Sequence, residues 1–258
     1  MKVMKNSAAA LITSLLIISA IYSCRHSNEN KDKSTSDENE SIDTSAVLKP
    51  LREKVLTAEE QKALTPDMVI KILADGNKRF MNNDLTARDH SAMVREAVVG
   101  QYPKAVILSC LDSRIPVEDV FDKGIGDLFV ARVAGNFVNE DILGSMEFGC
   151  KISGAKLILV LGHESCGAIK AAIDQVKLGN ITAMLTKITP AVNRSTDFKG
   201  DKTSKDAEYV EYVAKNNVLT TIENIKRKSP ILKAMADKGE IKIIGAYYDL
   251  NTGEVIFL

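Results

Sequence analysis

Short, unbroken runs of apolar residues alternate along this chain with longer polar and amphipathic stretches. Such runs predict strands that are covered on both faces, because a strand with one solvated face would alternate apolar and polar residues. The four clearest runs lie at residues 105–108, 128–131, 157–161 and 241–248. A turn signal at residues 249–254 precedes a fifth run at 255–258 and predicts a final antiparallel edge strand.

Helical patterns fill the segments before and between these runs. Thr57-Ala-Glu-Glu60 has the form of a capping box, and Thr65-Pro66 is an N-cap followed by proline at the first helical position. Apolar residues then recur at helical spacing and predict a helix over 66–82. Further helices are predicted at residues 92–99, 139–153, 166–178, 205–228 and 230–237. The alternation predicts one α/β domain, a mostly parallel sheet with flanking helices and an antiparallel C-terminal edge strand.

The first 24 residues have the pattern of an export signal. Lys2 and Lys5 supply positive charge, residues 8–21 are almost entirely apolar, and Ile21-Tyr22-Ser23-Cys24 resembles the bacterial lipobox. The apolar run is shorter than the roughly 20 residues that a membrane-spanning helix needs. We predict a lipoprotein-type signal peptide over 1–23 and lipidation of Cys24. An uncleaved membrane anchor and an ordinary secretory signal are the alternatives.

A strongly polar segment separates this signal from the predicted domain. Residues 25–46 are rich in Asn, Lys, Asp, Ser, Glu and Thr. Such a composition cannot bury enough apolar surface to offset the entropy of ordering the chain. We predict a flexible tether and N-terminal extension over 24–56 and a folded domain over 57–258. Every interpretation of the signal exports this domain, and the lipoprotein interpretation places it in the periplasm or at the outer membrane.

Charge and cysteine content narrow the choice of function. Lys+Arg and Asp+Glu are both 34, and no basic tract of five or more residues occurs, so the sequence gives no indication of a nucleic-acid partner. The four cysteines do not form the dense pattern of a disulfide-stapled scaffold. Their local context therefore decides how each is interpreted.

Metal-binding residue types follow two of the predicted strands. Cys110 comes after the run at 105–108, and His163 and Cys166 come after the run at 157–161. Sites in parallel sheets collect beyond the carboxyl ends of strands. Two thiolates and an imidazole suit zinc, and three protein ligands leave a fourth position for water. Buried cysteines without a metal, or a Cys110–Cys166 disulfide, are the alternatives.

The motifs around these residues resemble the signature of the β-class carbonic anhydrases. The two principal segments are Cys110-Leu-Asp-Ser-Arg114 and His163-Glu-Ser-Cys166-Gly167. Arg132-Val-Ala-Gly-Asn136, Gly144-Ser-Met-Glu-Phe148 and Cys166-Gly-Ala-Ile-Lys170 resemble further segments of the family. The resemblance covers roughly residues 66–258. It implies a β-carbonic-anhydrase-like catalytic domain that hydrates carbon dioxide reversibly to bicarbonate and a proton.

The resemblance also implies roles for the residues of the two principal motifs. Cys110, His163 and Cys166 would bind one zinc ion per subunit, with a zinc-bound hydroxide as the nucleophile. Asp112 and Arg114 would form the catalytic dyad, in which the guanidinium holds the carboxylate off the metal so that it orients the hydroxide. In a closed state of the family, Asp112 would instead become a fourth zinc ligand.

The substrate pocket is implied by the same resemblance. Gln101, Phe129 and Phe148 would contact carbon dioxide or bicarbonate, with Phe148 at a position where plant-like members have tyrosine. The family completes this pocket across a subunit interface, so a homodimer or homotetramer is expected. Arg132 is expected to be structural. No noncatalytic bicarbonate site is expected, because Ile107 replaces its tryptophan and the chain contains no tryptophan.

Two other functions remain open from the sequence. The same scaffold and ligands would serve a zinc-dependent hydrolase of carbon disulfide or carbonyl sulfide. The domain would alternatively be an exported zinc-binding protein without turnover. An intact Asp112–Arg114 dyad argues against the second, because a purely structural zinc site is closed by four protein ligands.

Overall fold

A five-stranded sheet organises residues 54–258, the part of the chain that this computed structural model describes. The predicted signal peptide, Cys24 and most of the predicted tether lie outside the described residues. The strand order is β2-β1-β3-β4-β5, with four parallel strands and β5 antiparallel to β4. The strands are β1 (Ala105–Ser109), β2 (Leu128–Arg132), β3 (Leu157–His163), β4 (Lys242–Tyr248) and β5 (Val255–Phe257). The predicted fold class, including the antiparallel C-terminal edge strand, is confirmed.

Ten α-helices flank the sheet within the described residues. They are α1 (Ala58–Ala63), α2 (Pro66–Met81), α3 (His90–Glu96), α4 (Val117–Val120), α5 (Glu140–Glu147), α6 (Gly167–Ile173), α7 (Gly179–Leu185), α8 (Thr189–Arg194), α9 (Ala207–Lys228) and α10 (Pro230–Asp237). A 3₁₀ turn, Ala97–Val99, follows α3, and a π turn, Phe148–Ile152, continues α5. None of the helices in this part of the chain has the length and apolar character needed to span a membrane.

The capping signals locate the first two helices correctly. Thr57 and Glu60 form the reciprocal capping box of α1, and the Thr65 side chain accepts from the Met68 N–H at the start of α2. The predicted helix over 166–178 is wrong in its second half. It ends at Ile173, because Gln175 adopts a positive φ of 53° and breaks the helix. The short helices α4, α7 and α8 were not predicted.

Both faces of the central strands are buried, as the unbroken apolar runs predict. On one face Ile107, Leu159 and Leu161 pack in a cluster that includes Cys110 and Cys166. On the other face, residues of β1 and β3 pack with Met146 and Cys150 in a second cluster. The sheet therefore separates two cores, and the candidate metal ligands border only the first.

Asn77 of α2 connects that helix by hydrogen bonds to α4 and to the C-terminal segment of the domain. Its side-chain amide donates to the carbonyl of Val120 (3.1 Å) and to that of Gly253 (2.8 Å). Its carbonyl oxygen accepts from the N–H of Val255 (2.8 Å). Asn77 is buried, and breaking such bonds would leave polar groups unsatisfied in the core. The turn between β4 and β5 is consequently held in place by α2.

A buried carboxylate secures the segment that follows α2. Asp122, at a positive φ of 49°, pairs with Arg79 and with Arg88 (2.8 Å). It also accepts from the Thr86 hydroxyl (2.7 Å). Burial alone would raise the pKa of this carboxyl, but the hydrogen bonds from Arg79, Thr86 and Arg88 outweigh burial and hold its pKa well below the usual range.

Candidate metal centre

Three chain segments bring Cys110, His163 and Cys166 together at the carboxyl edge of the sheet. Cys110 directly follows β1, His163 is the last residue of β3, and Cys166 is the N-cap of α6. The strands β1 and β3 are parallel neighbours. All three side chains are buried, and their ligand atoms lie within 4.8 Å of one another. Among residues 54–258 this is the group of three or more His, Cys, Asp or Glu side chains with metal-binding geometry.

The distance between the two sulfur atoms suits a shared metal ion. The Sγ atoms of Cys110 and Cys166 are 3.9 Å apart, and both cysteines are free. A disulfide would need about 2.05 Å. Two thiolates on one tetrahedral zinc, each about 2.3 Å from the metal, would lie roughly 3.8 Å apart. The spacing therefore fits metal ligands and not a disulfide.

The ring of His163 is oriented so that one nitrogen is left for a metal. Its Nδ1 lies 2.8 Å from the carbonyl oxygen of Glu164, and because a carbonyl can only accept, Nδ1 carries the proton. Nε2 is then the nitrogen with the free lone pair. It is buried and has no hydrogen-bond partner in the protein. A buried polar atom without a partner is rare, and a metal ion at the group would satisfy it.

The two cysteines differ in acidity because they share a hydrogen bond. That bond to Cys166 does most to lower the pKa of Cys110 to about 4, and the neighbouring His163 ring and the Gly135 N–H, 3.3 Å from the sulfur, lower it further against the effect of burial. The same bond raises the pKa of Cys166, and burial adds to the rise. Without a metal, one proton is therefore retained between two sulfurs. A cation that binds both thiolates must displace this proton.

Asp112 and Arg114 form a closely matched ion pair beside the three ligands. Arg114 donates from Nε to Oδ1 (2.9 Å), from Nη2 to Oδ2 (2.7 Å) and from its backbone N–H to Oδ1 (3.0 Å). These bonds hold the pKa of Asp112 well below its usual range, so it stays ionised. Its Oδ2 lies 4.0 Å from Nδ1 of His163. The carboxylate thus borders the ligand group without being part of it.

Arg132, the last residue of β2, fixes the backbone that carries both motif residues. It donates to the carbonyl oxygens of Cys110 (2.9 Å) and Asp112. These bonds span Leu111 and hold the turn after β1 in one conformation. The structure thus gives Arg132 the structural role expected for it.

The sequence did not reveal that a backbone N–H group donates a hydrogen bond to the Cys110 sulfur. Gly135 donates its N–H to the Cys110 sulfur, and its carbonyl oxygen accepts from the Asn217 side chain of α9 (2.8 Å). Gly135 has a positive φ of 84°. A Cβ there would lie 2.4 Å from Cδ1 of the buried Ile188. Only the motif Arg132–Asn136 pointed to this region, and nothing linked it to Asn217.

The three predicted substrate residues do not join the ligand group within one chain. Phe129 and Phe148 line a cavity of about 750 Å³ whose walls do not include Cys110, His163 or Cys166. Phe129 packs against the core on the opposite face of the sheet. Gln101 is exposed and lies before β1, whereas Cys110 follows it. A five-residue strand, about 16 Å long at 3.3 Å per residue, separates the two.

Comparison with known proteins gives one consistent result. The carbonic anhydrase family model matches residues 105–255. Carbonic anhydrase 2 of Mycobacterium tuberculosis is 31% identical over 195 residues, which cover 72% of this chain and 89% of that protein. The β-carbonic anhydrase CafA of Aspergillus fumigatus superposes with a TM-score of 0.57 at 25% identity, covering 66% of this chain and 81% of that one. Two tetrameric β-carbonic anhydrases are described from Sordaria macrospora. The matching chain superposes with a TM-score of 0.57 at 22% identity, and the match covers 71% of this chain and 90% of that one.

The contact between Gly135 and Ile188 can be tested by substitution. We expect Gly135→Ala to lower the free energy of unfolding by about 2–3 kcal/mol, from left-handed backbone strain plus overpacking. Urea unfolding of the metal-free protein measures this change. Gly239→Ala is the matched control, because Gly239 has a positive φ of 72° but nothing within 4 Å of its added Cβ. An equal loss in both variants would contradict a steric contribution from Ile188.

Proposed function

The chain belongs to the β-class carbonic anhydrase family, and on that premise we propose that it hydrates carbon dioxide reversibly to bicarbonate and a proton. For this reaction Cys110, His163 and Cys166 bind one zinc ion per subunit. The observation that carries this proposal is the buried Nε2 of His163, which has no partner in the protein and is grouped with two sulfurs 3.9 Å apart. Two sulfurs and one imidazole nitrogen form a donor set that suits zinc.

Three protein ligands would leave a position on the ion open to solvent and substrate. When bound there, zinc supplies a Lewis acid that lowers the pKa of a water molecule toward neutrality. Asp112 lies outside the ligand group and pairs with Arg114. This arrangement supports an open site over one that Asp112 closes as a fourth ligand.

Asp112 and Arg114 orient the reacting water in this proposal. Each carboxylate oxygen has two lone pairs, so Asp112 can accept a further hydrogen bond while Arg114 holds it bidentately. Because the pKa of Asp112 is depressed, its carboxylate stays ionised, and both of its oxygens can still accept hydrogen bonds. Accepting the hydrogen of the water directs the remaining oxygen lone pair toward carbon dioxide. Arg114 also restrains the carboxylate from moving onto the metal.

We expect removal of one ligand to abolish both metal binding and turnover. Cys166→Ala should lose most of its zinc, because the two remaining side chains cannot hold the ion with comparable affinity, and its rate of carbon dioxide hydration should fall at least about a hundredfold. Stopped-flow hydration assays at alkaline pH, with zinc measured by atomic absorption, check this. Hydrolysis of carbon disulfide and of carbonyl sulfide is measured with the same preparations.

Arg114→Gln serves as the matched variant, since it leaves all three ligands in place. It should retain one zinc per subunit yet hydrate carbon dioxide more slowly, because Asp112 is no longer fixed. Wild-type protein that is active without zinc, or inactive with full zinc at alkaline pH, would overturn the proposed reaction. Hydrolysis of carbon disulfide in place of carbon dioxide hydration would redirect it to the alternative substrates.

We propose a homodimer as the smallest active assembly, either alone or paired into a tetramer. Gln101, Phe129 and Phe148 lie away from the ligand group of their own chain, so a substrate pocket that uses them needs a second subunit. The Sordaria macrospora relatives are described as tetrameric. Sedimentation equilibrium at assay concentrations is expected to give a dimer or tetramer. A fully active monomer would contradict this assembly.

We propose that the domain is exported and tethered through a lipidated Cys24, in the periplasm or at the outer membrane. The charged, apolar and lipobox-like segments of residues 1–24 support this. In a bacterial host, Cys24→Ala is expected to lose incorporation of radiolabelled palmitate and to leave the membrane fraction. Palmitate labelling that persists in this variant would rule out Cys24 as the attachment site.

A further inference from the structure

We propose that Glu164 is a positioning residue for His163, fastened by the turn between β4 and β5, so that this turn sets the affinity of the zinc site. The inference rests on the proposed function, in which His163 binds zinc. We call the contact of the Glu164 carboxylate with the Leu250 N–H and the Asn251 side-chain amide the hairpin clamp.

Glu164 determines the orientation of the His163 ring through its own backbone. Its carbonyl oxygen is the acceptor for Nδ1 of His163, at 2.8 Å. A displacement of that carbonyl would turn the imidazole and move Nε2 away from the two sulfurs. Partners of this kind, which fix the ring of a metal-binding histidine, typically change metal affinity by 10- to 100-fold when lost.

The hairpin clamp ties Glu164 to the end of the sheet. Leu250 donates its N–H to Oε2 (3.0 Å), and the Asn251 amide donates to Oε1 (2.9 Å) and Oε2 (2.8 Å). The backbone N–H of Glu164 donates to the carbonyl of Tyr248 (3.0 Å). Glu164 is therefore held at its backbone by the last residue of β4 and at its side chain by two residues of the turn that follows.

The turn itself is a firm anchor. Asp249 accepts from the backbone N–H groups of Asn251 (2.7 Å) and Thr252 (3.0 Å). The Asn77 side chain of α2 binds the backbone on the far side of the turn, at Gly253 and Val255. The backbone of Asn251 is thus fixed within the turn, and this fixes the position from which its side chain binds Glu164.

The segment between the ligands needs such a restraint. Ser165 lies between Glu164 and Cys166 and has a positive φ of 52°. A non-glycine residue there is strained and persists only where its surroundings hold it. Without the hairpin clamp, the strained backbone could relax and carry the Glu164 carbonyl with it. The clamp holds this carbonyl against that relaxation.

Zinc affinity separates positioning from a general contribution to stability. We expect Asn251→Ala to bind zinc about tenfold more weakly, measured by competition with a chromophoric chelator. The melting temperature of its metal-free form should match that of the wild type, because Asn251 is exposed. The visible absorption of the cobalt-substituted protein should shift in the same variant, since the imidazole is reoriented.

A swapped pair provides the rescue. Asn251→Asp alone places two carboxylates together and should also weaken zinc binding by at least tenfold. Adding Glu164→Gln should restore affinity to within about threefold of the wild type. The glutamine amide then donates to the new carboxylate, while its oxygen still accepts from Leu250. Glu164→Gln alone replaces charge-assisted hydrogen bonds with weaker bonds between neutral amides, so it should bind zinc more weakly than the double variant.

Thr252→Val is the matched control within the same turn. The Thr252 hydroxyl accepts from the Glu254 N–H (3.2 Å), and the residue makes no described contact with Glu164, so its zinc affinity should equal that of the wild type. Wild-type affinity in Asn251→Ala, an equal loss in Thr252→Val, or no rescue in the double variant would each overturn the inference. A wild-type protein that binds no zinc would instead overturn the proposed function on which it rests.

Discussion

The parallel pairing of β1 with β3 is the constraint on which the candidate metal centre depends. Its register sets Leu108 beside Val160, so both strands end at one edge of the sheet, where His163 is the last residue of β3 and Cys110 directly follows β1. A shift by one residue would point every side chain of a strand to the opposite core. Because β1 and β3 are buried on both faces, packing specifies this register strongly, and the ligands inherit their positions from it.

The site sets the partly exposed Asp112 carboxylate beside the buried sulfurs of Cys110 and Cys166, and each negative charge has a specific compensation. Arg114 balances Asp112, while the Gly135 N–H and one retained proton balance the two sulfurs. Arg132 adds no partner to either anion and instead holds the backbone between them. The proposed zinc would complete this balance, since a divalent cation replaces the retained proton and meets the lone pair of His163.

The sequence predicted those features whose cause is local. Apolar runs located all five strands, Thr57 and Thr65 marked the starts of two helices, and the two principal motifs named the residues that the structure gathers at the sheet edge. The helix break at Gln175 and the short helices α4, α7 and α8 escaped prediction, because a single positive φ and helices of four to seven residues leave too short a pattern for periodicity to reveal. Contacts between distant residues, such as Gly135 with Asn217 or Glu164 with Asn251, left no pattern that a single sequence could show.

Two of the hydrogen bonds of Asn77 join it to Gly253 and Val255, which lie 176 and 178 positions further along the chain. Closing so long a loop is entropically costly and slow compared with forming local helices. These bonds can form only after β5 has been synthesised and has reached the sheet, so a chain that is still emerging from a ribosome lacks them. The turn that holds Glu164 is therefore among the last parts of the domain to become ordered, and a metal that prefers the ordered site would draw folding to completion.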